Sequence, residues 1–145
     1  MLDGKIQIVI LTIPDRRQQE VRELVRLFSE HPGFCKPLVF VDDCGLGAAR
    51  ATQQAIQLAH QQAPNTPILF LEDDLQADHE APEQISRAIF PPRTAIISFC
   101  DMREVEEYSP NGLYLRSPLG SDGRGWWGNQ ALLIHPETAA VLAEA

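Results

Sequence analysis

The chain has 145 residues, of which 44% are apolar and 22% are charged. This composition is typical of a globular domain and excludes a disordered chain, and the length fits a single domain over residues 1–145. The formal net charge is −8, and the longest basic cluster is Arg16–Arg17, which argues against nucleic acid as the main partner.

Features that report on the cellular compartment point to the cytoplasm. The first apolar run, Ile6–Leu11, is too short for a signal peptide or a membrane span. The cysteines Cys35, Cys44 and Cys100 are odd in number and lack the spacing of a metal site, which indicates free thiols in a reducing compartment. We therefore expect a cytoplasmic protein without a transmembrane segment.

The first half of the chain alternates apolar runs with amphipathic segments. The runs Ile6–Leu11, Leu38–Val41 and Ile68–Leu71 predict strands that are buried on both faces. Apolar residues at helical spacing predict a helix after each of the first two strands, and Asp15 is expected to cap the first helix. These helices would bury Val21, Leu24, Val25, Leu27 and Phe28 in the first case, and Ala48, Ala51, Thr52, Ala55, Ile56 and Ala59 in the second. The alternation predicts an α/β domain with a mostly parallel sheet, right-handed crossovers and helices on both faces.

The second half is less regular. It predicts a short helix over Glu80–Ile89, a fourth strand over Ala95–Phe99 and weaker strands at Leu113–Leu115 and Ala131–Ile134. A last helix is predicted over Pro136–Ala145, with the proline in its first turn.

Acidic residues follow two of the predicted strands at the point where each strand ends. Asp42 and Asp43 follow the second strand, and Glu72, Asp73 and Asp74 follow the third. Ligands of open α/β sheets bind at the carboxyl ends of the strands, and ligand sets of oxygen atoms alone suit Mg²⁺ or Mn²⁺. The alternatives are that the pair caps the next helix and that the triplet is a solvated loop.

Two further groups lie near the same predicted edge. Arg16 and Arg17 follow the first strand and are either solvated or placed to contact a diphosphate or a base. Gly45 and Gly47 are interpreted as turn residues that let the backbone approach a ligand closely. Arg50, in the second helix, is a weaker candidate for a phosphate contact.

The order and spacing of these motifs resemble the nucleotide-binding half of GT-A glycosyltransferases, the nucleotide-diphospho-sugar transferase type. The resemblance is carried by IVILTIPDR at 8–16, VDDCGLGAAR at 41–50 and ILFLEDD at 68–74. The acidic triplet is similar to that of N-acetylglucosaminyltransferase I and the lipopolysaccharide transferases of family 25, and the type includes family 2. The resemblance implies a three-layer α/β/α fold, with a nucleotide-binding half at about residues 1–75 and a sugar and acceptor half at about residues 76–145.

By this resemblance, Asp74 and Glu72 would hold Mn²⁺ or Mg²⁺ and Glu72 would approach the ribose. The base would bind Asp42 or Asp43. The other residues expected to contact the nucleotide are Thr12, Pro14, Arg16, Arg17 and Asp73. The implied activity is transfer of a sugar from a nucleotide-diphosphate sugar, a UDP-sugar being the expected donor, to the hydroxyl group of a glycan or another acceptor.

The segment GRGWWG at 123–128 is similar to the glycine-aromatic segment of the sugar and acceptor site in these families, so Trp126 and Trp127 are expected to contact the sugar or acceptor. They could instead be core residues. An inverting reaction also needs a general base, for which Asp122 is preferred because it lies in this glycine-rich stretch; otherwise it is a turn residue. Asp101 and Glu137 are the other candidate bases, and His135 is either a late metal ligand or structural.

Three functional classes stay open at this stage. The first is a metal-dependent glycosyltransferase. The second is an incomplete or non-catalytic GT-A-like module that binds a nucleotide or glycan, because GT-A enzymes usually exceed this length and the chain fits a minimal or C-terminally truncated form. The third is another Mg²⁺-dependent phosphate-transfer enzyme, although the first strand is followed by Thr12-Ile13-Pro14 rather than by an aspartate nucleophile.

Overall fold

The computed structural model describes residues 4–99 and 131–145, together with the backbone of two short strands between them. In chain order the elements are β1 Gln7–Thr12, α1 Gln18–Ser29, β2 Leu38–Val41, α2 Ala48–Gln62, β3 Ile68–Glu72, α3 Ala81–Ser86, β4 Ile96–Ser98, β5 Glu107–Tyr108, β6 Leu115–Arg116, β7 Ala131–Ile134 and α4 Pro136–Glu144.

The main sheet has the strand order β2-β1-β3-β7-β4, and β5 pairs with β6 in a separate two-stranded sheet. β1 is parallel to both β2 and β3, while β7 is antiparallel to both β3 and β4. Four of the five strands in the main sheet therefore point in the same direction, and β7 alone is reversed. The prediction of an α/β fold with a mostly parallel sheet is confirmed.

Helices pack on both faces of the sheet because successive side chains of each strand point to opposite sides. On one face, Ile8 and Ile10 of β1 pack with Leu24 and Phe28 of α1. On the other face, Phe70 of β3 packs in a second core that also contains residues of α2 and α4, including Ala55, Ile56, Ala59 and Ala139. The predicted burial on both faces is therefore confirmed for β1 and β3. It is wrong for β2, because this strand lies at the edge of the sheet and its Val39 and Val41 are 39% and 44% exposed.

Several element boundaries and one cap differ from the predictions. The prediction that Asp15 caps α1 is wrong, because the N-cap position is occupied by Arg17 and no side chain caps this helix end. Both residues have positive φ, 59° for Asp15 and 50° for Arg17, so the chain turns tightly before α1 instead of entering it from an extended residue. The helix predicted over Glu80–Ile89 is shorter, because its helical backbone is confined to Ala81–Ser86.

In the ranges that the structure describes, no helix is long and apolar enough to cross a membrane. Cys35 and Cys44 are free thiols, as predicted, and Cys100 lies outside the described residues.

Candidate functional site at the carboxyl ends of the strands

A cleft opens where β1, β2 and β3 end. The register of the sheet brings these ends together, because Thr12 lies opposite Val41 and Leu11 lies opposite Glu72. The cleft has a volume of about 560 Å³. It is lined by Leu11, Thr12, Ile13, Arg16, Arg17, Asp42, Gly45, Gly47, Ala48, Ala51, Glu72, Asp73 and Asp74. The predicted convergence of acids from two strand ends is thus seen for Asp42 and for the triplet Glu72-Asp73-Asp74 at the end of β3.

Asp73 is the buried member of the triplet, with only 2% of its surface exposed. Its Oδ1 accepts hydrogen bonds from Arg17 Nη1 at 2.8 Å and from Arg16 Nη2 at 3.2 Å. Its Oδ2 accepts from the Thr12 hydroxyl at 2.8 Å and from Arg16 Nε and Nη2 at 3.3 and 3.1 Å. We call Thr12, Arg16, Arg17 and Asp73 the Asp73 cluster. Both carboxylate oxygens of Asp73 are therefore engaged by side chains from the end of β1 and the loop before α1.

The electrostatics of the Asp73 cluster favour its charged form. Burial alone would raise the pKa of Asp73, but the hydrogen bonds from Thr12, Arg17 and Arg16 outweigh it and hold the pKa below its ordinary value. The hydrogen bond to Asp73 raises the pKa of Arg17. The cluster is thus ionised at neutral pH, with one carboxylate and two guanidinium groups.

Glu72 and Asp74 flank the buried aspartate and have different surroundings. Glu72, the last residue of β3, is half-buried, and burial raises its pKa, followed by the negative charges of Asp74 and Asp73. Asp74 is exposed. A turn follows the strand, in which Leu75 N–H donates to the Glu72 carbonyl at 3.2 Å. The chain is therefore not extended through Asp74, and strict alternation of side chains ends at Glu72.

Asp42 closes the turn between β2 and α2. The backbone N–H of Leu46 donates to both of its carboxylate oxygens, at 3.0 and 3.1 Å. Gly45 and Gly47 in this turn have φ of +65° and +88°, so their role as turn residues is confirmed. Since α2 begins at Ala48 with no side-chain cap, Asp42 orders the turn rather than capping the helix.

Some predicted nucleotide contacts lie elsewhere. Pro14 lines a neighbouring cleft of about 380 Å³ that shares Thr12, Ile13 and Arg16 with the first. Asp43 is exposed and does not line the larger cleft; it accepts a hydrogen bond from the Cys44 thiol at 3.3 Å. Arg50 is also exposed and does not line it.

Two candidates from the second half of the chain lie at the opposite edge of the sheet. Because β7 is reversed, its last residue, Ile134, pairs with Ile68 at the start of β3. His135 follows directly and caps α4, accepting a hydrogen bond from Glu137 N–H at 3.2 Å. His135 therefore has a structural role here, and Glu137 lies away from the acidic cleft.

The remaining candidates are Asp101, Asp122, Trp126 and Trp127, and they lie outside the described residues. The described residues on either side of that segment are Phe99 and Ala131, where Phe99 N–H donates to the Ala131 carbonyl at 2.9 Å. Ala131 pairs with Leu71, next to Glu72. The chain therefore leaves and re-enters the described fold at the same edge as the cleft.

Sequence reasoning missed the part of α2 in the cleft wall. Ala48 and Ala51 line it, although both were predicted only as inner-face residues of the helix. Their small side chains leave room beside the acids, and the signal in the sequence is the run of alanines directly after the Gly45–Gly47 turn.

Among the residues described, no group of three or more His, Cys, Asp or Glu side chains is arranged to hold a metal ion. The sequence matches no protein-family model, and no curated protein is significantly similar to it.

Proposed function

We propose that the chain is a metal-dependent glycosyltransferase of GT-A type, which transfers a sugar from a nucleotide-diphosphate sugar to an acceptor hydroxyl. The observation that carries the proposal is the shared cleft, in which Asp42 from the end of β2, Glu72 and Asp74 from the end of β3, and Arg16 and Arg17 from the β1–α1 loop meet. This is the edge of an open α/β sheet at which ligands bind.

The charges of the cleft favour a ligand that combines a cation with an anion. Two arginines and four carboxylates line it, so its formal charge is −2 when all are ionised. A diphosphate alone would be repelled by the carboxylates, and a free metal ion would leave the two arginines with only the Asp73 carboxylate as their paired counter-charge. A metal–diphosphate pair satisfies both sets of groups.

Glu72 and Asp74 are the residues that fit a divalent metal. Mg²⁺ in enzymes is commonly held by one or two carboxylates together with substrate phosphates and water, rather than by a complete protein cage. Two carboxylates without a third protein ligand are therefore compatible with this mode of binding. A cation beside Glu72 would also offset the repulsion from Asp74 and Asp73, which contributes to the raised pKa of Glu72.

The chemistry follows from these charges. A bound divalent metal would neutralise negative charge on the leaving diphosphate. Arg16 and Arg17 would donate hydrogen bonds to its oxygens, and the engaged Asp42 carboxylate keeps the β2–α2 turn in place beside the ligand. The base that accepts the acceptor's proton is proposed to be Asp122, with Trp126 and Trp127 against the sugar or the acceptor, as the sequence resemblance implies.

Calorimetry with UDP and Mn²⁺ tests this function directly. We expect binding heat that requires both components and disappears in Asp74→Ala. Glu23→Ala is the matched control, because Glu23 is an exposed acid on α1 outside the cleft, and it should bind as the unmodified protein does.

Activity is tested with the same protein. Release of UDP from a panel of UDP-sugars, with and without added glycans, would support the transferase. Metal-dependent UDP binding without hydrolysis or transfer would instead support a non-catalytic nucleotide-binding module. If no nucleoside diphosphate binds in the presence of Mn²⁺ or Mg²⁺, both functions are contradicted.

A further inference from the structure

The middle acid of the triplet differs from its neighbours in having its carboxylate enclosed by protein donors. Asp73 is 2% exposed, and both of its oxygens accept from Thr12, Arg16 and Arg17. An ionised carboxylate has about four lone-pair positions, and five hydrogen bonds already converge on them. Little capacity remains for Asp73 to bind a ribose hydroxyl or a metal itself.

Asp73 binds both arginines but leaves some of their hydrogen-bond donors unused. Arg16 and Arg17 keep 45% and 38% of their side-chain surface exposed, and both line the cleft. Within the described part of the chain, Nη1 of Arg16 and both Nε and Nη2 of Arg17 make no hydrogen bond. Each guanidinium therefore keeps donors for a ligand.

The backbone beneath these side chains is also unusual. Arg17 has φ 50° and ψ 36°, and Asp15 two residues earlier has φ 59°. Residues other than glycine adopt this left-handed conformation at a cost and do so mainly where the surrounding structure enforces it, often in ligand-binding segments. Hydrogen bonds from Arg16 and Arg17 to Asp73 tie this loop to the end of β3.

We propose that Asp73 is a positioning residue that holds Arg16 and Arg17 as a two-guanidinium clamp for a diphosphate, and that it does not contact the nucleotide itself. The assignment of the diphosphate to a sugar nucleotide rests on the proposed function, whereas the clamp itself does not. Arg16 and Arg17 are the only cationic side chains among the described residues that line the cleft, so they are the groups available to an anion there. A fixed pair of guanidinium groups binds phosphate oxygens with less loss of side-chain freedom than two mobile ones.

A double-mutant cycle separates positioning from direct contact. The probe is inorganic pyrophosphate with Mg²⁺, measured by calorimetry on the full chain carrying Asp73→Asn, Arg16→Gln with Arg17→Gln, or all three changes. Asp73→Asn is expected to weaken pyrophosphate binding about tenfold, as loss of an orienting partner commonly does. Because Asp73 acts through the arginines, the triple variant should bind no more weakly than the double arginine variant.

Further variants keep the test valid if Asp73→Asn is poorly folded. Thr12→Val removes one bond to Asp73 and should weaken pyrophosphate binding in the same direction, whereas Thr12→Ser retains the hydroxyl and should restore it. Arg26→Gln is the matched arginine control, because Arg26 lies on α1, pairs with Glu30 and does not line the cleft. Thermal unfolding without ligand verifies that each variant is folded.

The outcomes distinguish the clamp from the proposed function. The clamp is overturned if wild-type protein does not bind pyrophosphate, if Asp73→Asn binds it normally, or if the effects of Asp73 and the arginines multiply in the triple variant. If pyrophosphate follows the expected pattern but no nucleoside diphosphate or sugar nucleotide is preferred, the clamp stands and the glycosyltransferase proposal fails. If UDP binds with Mn²⁺ and its binding is unaffected by Asp73→Asn, the clamp is overturned and the glycosyltransferase proposal stands.

Discussion

Arg17 Nη1 lies 2.8 Å from Asp73 Oδ1, a bond that ties the N-cap residue of α1 to the turn after β3. The two residues are 56 positions apart in the chain, so the contact exists only in the folded protein. The bond therefore contributes both to the electrostatics of the cleft and to the stability of this edge of the sheet.

Asp73→Asn is expected to destabilise the fold by about 2 kcal/mol, because a buried carboxylate with charged donors is replaced by a neutral amide that cannot satisfy them equally. Urea unfolding at neutral pH measures the change. Glu30→Gln removes an exposed carboxylate paired with Arg26 within α1 and should cost no more than about 0.5 kcal/mol. Equal effects of the two substitutions would contradict the structural importance of the Asp73 cluster.

Glu72→Gln is expected to affect stability and binding in opposite directions. Burial, then the charges of Asp74 and Asp73, raise the pKa of Glu72, so its ionisation works against folding at neutral pH. The neutral amide should therefore stabilise the unliganded protein by about 1 kcal/mol while abolishing Mn²⁺-dependent UDP binding. On one preparation, urea unfolding measures the stability and calorimetry measures UDP binding. A loss of stability in Glu72→Gln would show that its carboxylate is already compensated.

Substitution of the two glycines before α2 should have unequal effects. Gly47 combines φ 88° with ψ 161°, a conformation almost restricted to glycine, so Gly47→Ala should cost about 1–3 kcal/mol. A Cβ atom at either position would meet nothing within 4 Å, so this cost would come from the backbone alone. Gly45, with φ 65°, should tolerate asparagine better. The urea midpoints of the two variants are compared. If Gly47→Ala is as stable as Gly45→Asn, alanine at position 47 is not under backbone strain.

His31 and Glu83 should make stability depend on pH. Gly33 N–H donates to His31 Nδ1 at 2.9 Å, so the other ring nitrogen carries the proton that is donated to Glu83, 2.7 Å away. This bond, followed by the other contacts of the carboxylate, lowers the pKa of Glu83 below its ordinary value of 4.5. A lowered folded-state pKa gives a stabilisation that is complete above pH 4.5 and is lost as the pH falls through the folded value.

The measurement is the difference in urea midpoint between wild type and Glu83→Gln. It should be larger at pH 6 than at pH 3. Glu80→Gln is the control, since the only ion-pair contact of Glu80 with another described residue is at 3.9 Å to the exposed His79. A difference that does not change with pH would assign the effect of Glu83 to packing.

The sheet was predictable from the sequence because its strands are short and mostly apolar. β1, β2 and β3 lie within one residue of their predicted bounds, since runs such as Ile68–Leu71 have no polar residue that could face water. The direction of β7 was not predictable. Ala131–Ile134 is as apolar as a parallel strand, and its reversal depends on where the chain returns from residues 100–130 rather than on any local pattern.

The composition of the cleft was predictable in part, for a similar reason. Acids that follow parallel strands must share an edge, which correctly brought Asp42 and the triplet together. The orientations of the triplet side chains and their arginine partners depend on the turn after Glu72 and on the positive φ of Arg17. No residue type in the sequence predicts either of these backbone features. The pairing of two arginines after β1 with an acid after the adjacent β3 could have been inferred from charge complementarity.

The hydrogen bond between Phe99 and Ala131 has a consequence for substitutions in the segment that separates them. It joins the two described residues on either side of positions 100–130, so the register of β4 and β7 is fixed by residues that lie within the main sheet. Substitutions between residues 100 and 130 are therefore expected to leave the pairing of β4 with β7 unchanged.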